Sequence, residues 1–481
     1  MILKSVTIQG QISEAHISCK NPADLSFGPH TTGGILEVTL SNLVFNATNV
    51  TLNNVSSFNV AITKCKFMNC QYGVHILQKE SFVPSCQKST LAVSDSEFWY
   101  NTNSIKVYLS NEFFNLTISR CLFQGRKGQF NVTSWNRNTT AAVYVRSTVL
   151  KGRSKMYVDA SIADSIFREL GHENNGFAFS VRIRHNLSYG NLTLSNTSFI
   201  NNENAIFVHG GFGLRLTKVT INSTYGYAIA ASGPPKLAPT APTTPKINVL
   251  LDECLLADNR IGIRMSTTSC LGYNYGCSTS DQTLVVRNSL FLGHKTRDPG
   301  YAIRFAIKRP APAPSGKKTQ TQIFHDAVTM QSNQELYLSL EFEAKILLEN
   351  VTFRELHGCA LSFEADKNVH GLISFTSCKF LNNSQLMHRL VDRATVHIDI
   401  KDDDPLRCRE GERSNSNEFM RKKNFTLLVI FEDSIFEGNV GVSGALDLKN
   451  GNVTIKNCHF KDNEGLTPGG HVFMKTGLWY T

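Results

Sequence analysis

The chain has 481 residues, 41% hydrophobic and 18% charged, with a formal net charge of +10. That composition supplies a large core, and no long charged tract interrupts it. No apolar run approaches the about 18 residues of a membrane-spanning helix, and Met1 to Thr7 lacks the basic-then-apolar layout of a signal peptide.

Residues 1–35 carry two short alternating stretches, Ser5-Val6-Thr7-Ile8 and Ala15-His16-Ile17, read as weaker N-terminal coils. From there a motif recurs thirteen times. Its anchors in chain order are Phe45, Phe67, Phe98, Phe123, Phe167, Phe199, Ile221, Leu256, Phe291, Phe353, Phe380, Phe436 and Phe460. The shortest spacing is 22 residues, seen twice, followed by 24, 25 and 27.

Seven and five residues before each anchor stand inward-type residues, such as Val60 and Ile62, Leu116 and Ile118, or Val453 and Ile455. An i, i+2 pair is the inward face of a short strand. Two residues before the anchor a small or apolar residue completes a second inward pair, as at Cys65, Ser96, Cys121 and Ser165. A third pair follows seven to nine residues after it, as at Ile105 and Val107, or Ile206 and Val208.

Parity reverses between the first two pairs, so the strand must bend there. The residue three before the anchor is polar in every copy. It is Asn or Asp in eight: Asn42, Asp95, Asp164, Asn196, Asn288, Asn350, Asp433 and Asn457. These side chains tolerate a left-handed bend. Three residues after the anchor, Asn returns at Asn101, Asn202, Asn259, Asn383, Asn439 and Asn463. Stacked at one turn, such amides can bond along the axis as a ladder.

Three strands and three turns in 22 to 25 residues make one coil of a solenoid, which must stack on its neighbours to bury its face. The fold class is therefore all-β, a right-handed parallel β-helix of at least thirteen coils. Residues 1–481 are read as one β-helix domain. Neither end shows a cap, which predicts that the natural protein continues in both directions.

The repeat resembles the parallel β-helix of the pectin-lyase-like superfamily over roughly residues 35 to 475. Phe98 to Asn101, Phe436 to Asn439 and Phe460 to Asn463 are similar to the Phe-x-x-Asn motif of bacterial polymorphic outer-membrane proteins. Gly226-Tyr227-Ala228-Ile229 and Gly444-Ala445-Leu446 are similar to their Gly-Gly-Ala-Ile motif. The resemblance implies the fold. It does not imply one activity, because the fold hosts lyases, hydrolases, adhesins and inert shafts.

Insertions are read at 77–90, 126–157, 232–247, 266–282, 306–335 and 388–424, mainly between the third strand of one coil and the first of the next. They gather on one edge, where a stiff scaffold would place binding. Several are basic. Lys308, Arg309, Lys317, Lys318, Arg421, Lys422 and Lys423 form the candidate binding edge, which suits anionic glycans.

Fourteen Asn-x-Ser/Thr sites point to a secretory chain: Asn46, Asn49, Asn54, Asn115, Asn131, Asn138, Asn186, Asn191, Asn196, Asn222, Asn350, Asn382, Asn424 and Asn452. The twelve cysteines divide by position. Cys65, Cys121, Cys254, Cys378 and Cys458 share the inward position two before the anchor, and are read as buried free thiols. Cys270 with Cys277 and Cys70 with Cys86 flank insertions and are the candidate disulfides.

No cofactor or zinc spacing is legible, and no residue is assigned a catalytic role. Asp399 and Asp402 to Asp404 are read as a solvated loop, and Asp95, Asp164 and Asp433 are explained by the bend. Gly171-His172-Glu173, Gly293-His294-Lys295 and Arg182-Ile183-Arg184 match the polygalacturonase motifs poorly. The expectation is an extracellular recognition, adhesion or structural ectodomain that binds glycans or cell-surface proteins and no nucleic acid. The alternative is a polysaccharide lyase or glycoside hydrolase.

Overall fold

A computed structural model describes residues 5–10, 15–27, 35–78, 88–110, 113–126, 141–147, 156–170, 176–183, 189–232, 246–266, 282–293, 300–306, 342–366, 369–384, 394–401, 427–449, 451–465, 472–475 and 479–480. The strands stack in three parallel columns. The first holds fifteen described strands, from Ser5–Gln9 and Ile35–Ser41 to Asn452–Lys456 and Trp479–Tyr480. The second is made of three-residue strands centred on the anchors, such as Lys66–Met68, Glu97–Trp99 and Leu122–Gln124. The third includes Tyr72–Gln78, Asn103–Leu109, Ala141–Ser147 and Phe177–Arg182. Two long strands, Ala15–Phe27 and Leu43–Val55, run through both the second and third columns and join them in one sheet of 26 described strands. Each strand pairs in register with its counterpart one coil on, which defines a right-handed parallel β-helix.

The anchors stack inside. Phe45, Phe67, Phe98, Phe123, Phe167 and Phe199 have successive ring centroids 4.7, 4.9, 4.8, 4.5 and 4.8 Å apart. Ile221 and Leu256 interrupt the column. It resumes through Phe291, Phe353, Phe380, Phe436 and Phe460 at 5.0, 5.0, 4.4 and 4.8 Å. The spacing is that of the strands themselves. The rings inside the stack therefore lose their water on both faces, which isolated coils could not achieve, and only Phe460 at its end is half-buried.

The bend before the anchor is left-handed in all thirteen copies, with φ between 46° at Asn196 and 56° at Lys218. Lys64, Arg120, Lys218, Glu253 and Ser377 adopt it as readily as the Asn and Asp positions. Their backbone N–H groups stay bonded across the coils, as from Lys64 to the Ser94 carbonyl (3.1 Å). A second left-handed bend sits two residues after the anchor, at Ala47, Asn69, Tyr100, Glu169 and Asn201 among others. Asn, Asp or Gly fill it at Asn69, Asn201, Asp258, Gly293, Asn382, Gly438 and Asp462.

The Asn three after the anchor is a clamp. Asn202 accepts from the Leu170 N–H (3.0 Å) and donates to the Phe167 carbonyl (3.0 Å), both in the preceding coil. Asn383, Asn439 and Asn463 also bond one another, at 2.9 and 2.8 Å, so a true amide ladder forms over three coils. The inward cysteines pair with serines of the next coil. The backbone N–H of Cys65, Cys121, Cys254 and Cys378 donates to Ser96, Ser165, Ser289 and Ser434 at 3.0–3.1 Å. These four thiols are buried and free, and Cys458 is half-buried and free. Burial pushes the Cys121 thiol up to about 11 and that of Cys378 up to about 12.

Two expectations are corrected. Cys70 is a buried free thiol, not half of a disulfide with Cys86. It occupies the clamp position three after Phe67, donating to the Thr48 (3.2 Å) and Met68 (3.3 Å) carbonyls. Asn49 is buried, with its amide held by Asp24 (2.8 Å) and the Tyr72 N–H (2.9 Å). The spans read as insertions at 126–157 and 388–424 each contain a third-column strand, Ala141–Ser147 and Val396–Lys401. The third strand keeps no constant distance from its anchor, which hid both. Cys86, Cys270 and Cys277 lie outside the described residues.

Candidate functional site

The third column differs from the first in what its outer face carries. Alternation turns every second residue of a strand outward. On the first column one outward row starts with small residues, Thr39, Ala61, Ala92, Thr117, Ser161 and Thr193, and continues through Arg215, Leu250, Val285 and Leu347, with no aromatic among them. On the third column one outward row reads His75, Lys106, Tyr144, Ser180, Phe207, Ala230, Arg264, Arg304, Ser362, His397 and Asp447. Tyr108, Arg146, Arg182 and His209 form a second row beside it. A kink at the start of these strands, where Ala228 and Ile229 both enter the core, turns Tyr72, Phe177, Tyr227 and Tyr301 outward as a third. The Ala-Ile pair is thus the mark of this kink. Gly226 beside it is required because a Cβ there would meet Asn204 Oδ1 at 2.1 Å.

Cations lie over aromatic rings along this face. Lys106 Nζ is 4.9 Å from the Tyr72 ring and 5.5 Å from Tyr108. The Arg182 guanidinium sits 5.7 Å from Tyr144 and 4.9 Å from Phe207. Arg264 lies 5.1 Å from the Tyr227 ring and donates to its hydroxyl, and Arg304 is 5.0 Å from Tyr301. Tyr72 stacks on His75 at 4.5 Å, and the Phe177 ring lies tilted against Phe207 at 4.8 Å. The track crosses eight strands, roughly 34 Å at the usual strand spacing. Beyond Arg304 the sign reverses: Glu364, Asp399 and Asp447 stand on the next three strands, with Lys449 among them.

The face is sheltered, and some of its polar groups are unsatisfied. Among the described residues, eight buried side-chain polar atoms lack a hydrogen-bond partner. Five of them are on this face: His75 Nε2, Ser180 Oγ, Arg182 Nε, Ser362 Oγ and Asp447 Oδ1. Such atoms are rare in a folded protein. Burial and the Lys106 charge hold His75 down at about 4, so its ring is neutral at pH 7. Burial also lowers the Arg182 pKa. Among the described residues no group of three or more His, Cys, Asp or Glu is arranged to hold a metal ion.

The basic edge expected at Lys308, Arg309, Lys317, Lys318, Arg421, Lys422 and Lys423 lies outside the described residues. Asp399, expected in a loop, is on a strand of the third column. Arg182 is on the track. A usable signal existed: aligned third strands repeat His, Lys, Arg and Tyr at one position, where the aligned first strands up to Thr193 show Thr, Ser and Ala.

The architecture defines the class of protein as a parallel β-helix. No protein-family profile and no curated protein sequence matches the chain. Among solved structures it is similar to the catalytic domain of a GH87 alpha-1,3-glucanase variant in complex with tetrasaccharides. That match has TM-score 0.32 and 12% identity, over 82% of this chain and 61% of the glucanase. It is also similar to a variant tailspike protein of E. coli bacteriophage HK620, at TM-score 0.31 and 8% identity, over 96% of this chain and 73% of the tailspike. A second tailspike variant, in complex with a pentasaccharide, gives TM-score 0.25 and 10% identity.

Proposed function

We propose that the protein is an extracellular recognition β-helix that holds an anionic saccharide on the outer face of its third column. The observation that carries this reading is the track of cations over aromatic rings, lined by unsatisfied polar atoms. Aromatic rings offer a flat apolar surface for the C–H face of a sugar ring. Guanidinium groups match carboxylate and sulfate oxygens in pairs. Sheltered polar atoms without partners suit a ligand dense in hydroxyls. The density of Asn-x-Ser/Thr sites supports the extracellular placement.

The test measures binding of sulfated and uronic oligosaccharides to the secreted chain, with neutral oligosaccharides as the control. The paired change Arg182→Ala and Arg264→Ala is expected to weaken binding at least about tenfold, the loss of one good charged contact. Binding should also fall as salt is raised. Unchanged affinity in the pair would overturn the reading. If alanine at Lys308, Arg309, Lys317, Lys318, Arg421, Lys422 and Lys423 abolished binding instead, recognition would belong to the insertions. Shortened saccharides after incubation would favour a polysaccharide lyase or hydrolase.

A further inference from the structure

Where the track ends, three outward side chains of one row occupy successive strands: Ser362 on Gly358–Asp366, His397 on Val396–Lys401 and Asp447 on Leu446–Lys449. Register places Ser362 directly beside His397, and His397 directly beside Asp447. Arg304 is the next residue of the row, on the far side of Ser362. His397 Nδ1 is 2.9 Å from Asp447 Oδ2, and Lys449 Nζ is 3.5 Å from the same oxygen. Ser362 is wholly buried, and its Oγ has no hydrogen-bond partner.

Each element has a chemical consequence. Asp447 accepts only, so a bond to Nδ1 places the ring proton there and leaves Nε2 as the basic nitrogen. Register sets Asp447 on one side of His397 and Ser362 on the other, and no hydrogen bond yet joins Ser362 Oγ to the ring. A buried hydroxyl gains nothing for the fold by remaining unbonded. A nucleophile, a base and a carboxylate that orients the base, in that order, are the parts of acyl transfer from serine.

We propose that Ser362, His397 and Asp447 form an esterase centre that removes O-acyl groups from the saccharide held on the track. This rests on the glycan reading above for the alcohol part of the substrate. Ser362 Oγ bonds to the ester carbonyl carbon and gives its proton to His397 Nε2. The carbonyl oxygen takes up the negative charge beside the Arg304 guanidinium. The C–O bond to the saccharide breaks, and the leaving oxygen takes the proton from His397. Water then attacks the acyl-Ser362 ester, again through His397, releasing the carboxylic acid and restoring the serine. Asp447 is a positioning residue, holding the imidazole tautomer and stabilising its protonated form.

The experiment treats the full secreted chain with a fluorophosphonate probe at mildly alkaline pH and maps the adduct by peptide mass. An adduct on Ser362 is expected, absent in Ser362→Ala. In His397→Gln, which can still bond Asp447 but cannot act as the base, labelling should slow at least a hundredfold. In Asp447→Asn, labelling should slow with a changed pH profile. Ser362→Ala should keep wild-type thermal stability, because Ser362 Oγ makes no bond within the fold to lose. Absence of an adduct from folded wild-type protein, or equal labelling rates in wild type and His397→Gln, would overturn the proposal. The two readings fail separately. No adduct with saccharide affinity intact removes the esterase alone. An adduct without saccharide affinity keeps the serine centre and removes the track's ligand.

Discussion

Single residues in this fold are decided by their place in a stack. Cys70 and Asn202 occupy the same clamp position, yet one donates a thiol and the other an amide to the coil before it. His75 has the most pH-sensitive setting among the described residues of the track. Its folded pKa of about 4 is below the ordinary histidine value, because burial and Lys106 both disfavour its charge. The fold thus favours neutral His75. Its contribution is complete above the unfolded value near 6.5 and is lost as pH falls from there through about 4. Carboxylates titrate at the lower end of this window, so a comparison isolates the histidine. His75→Phe is expected to flatten the fall of the urea midpoint between pH 6.5 and 4.5. An equal fall in both proteins would place the linkage elsewhere.

At the scale of the element, the unit is the coil and its strongest internal contact is the anchor. Phe199 is fully buried and stacks on Phe167, with Ile221 on its other side. Phe199→Ala should cost about 3–5 kcal/mol, through lost burial and the cavity left behind. Phe199→Asp adds a buried unpaired charge and should abolish secretion of folded protein. Secretion of Phe199→Asp at wild-type level would refute the register. The first bend was legible because Asn and Asp recur there. Lys64, Glu253 and Ser377 show that the stack, not the residue, enforces it. The second bend favours Asn, Asp and Gly as the first favours Asn and Asp, yet it also accepts Ala47, Tyr100 and Glu169. The coils on either side hold it through backbone bonds, such as that from the Tyr100 N–H to the Gln124 carbonyl (2.8 Å).

For the whole molecule, the outward residues decide which surfaces meet solvent and ligand. Of the Asn-x-Ser/Thr sites among the described residues, Asn54, Asn196, Asn350 and Asn382 are exposed, whereas Asn49 is locked inside. Expression in secretory cells should therefore give glycans at those four and none at Asn49, as read by site-resolved glycopeptide mass. Glycan at Asn49 would mean that the coil containing Asp24 does not dock as described. Among the described residues no helix is long and apolar enough to cross a membrane.

The coil, its register, the inward thiols at Cys65 and Cys121 and the Asn clamp were all written locally, within about one turn of chain. Each is a demand that a short strand or bend makes on its own residues. The candidate site was not, because its members are neighbours only across coils. Ser362, His397 and Asp447 stand one strand apart in space. In the chain His397 and Asp447 are 50 residues apart. Insertions stretch the distance along the chain by unequal amounts, and strand pairing returns equal positions to one spacing of about 4.8 Å. Stacking alone therefore decided that scattered cations would lie over aromatic rings and that a serine, a histidine and an aspartate would share one row.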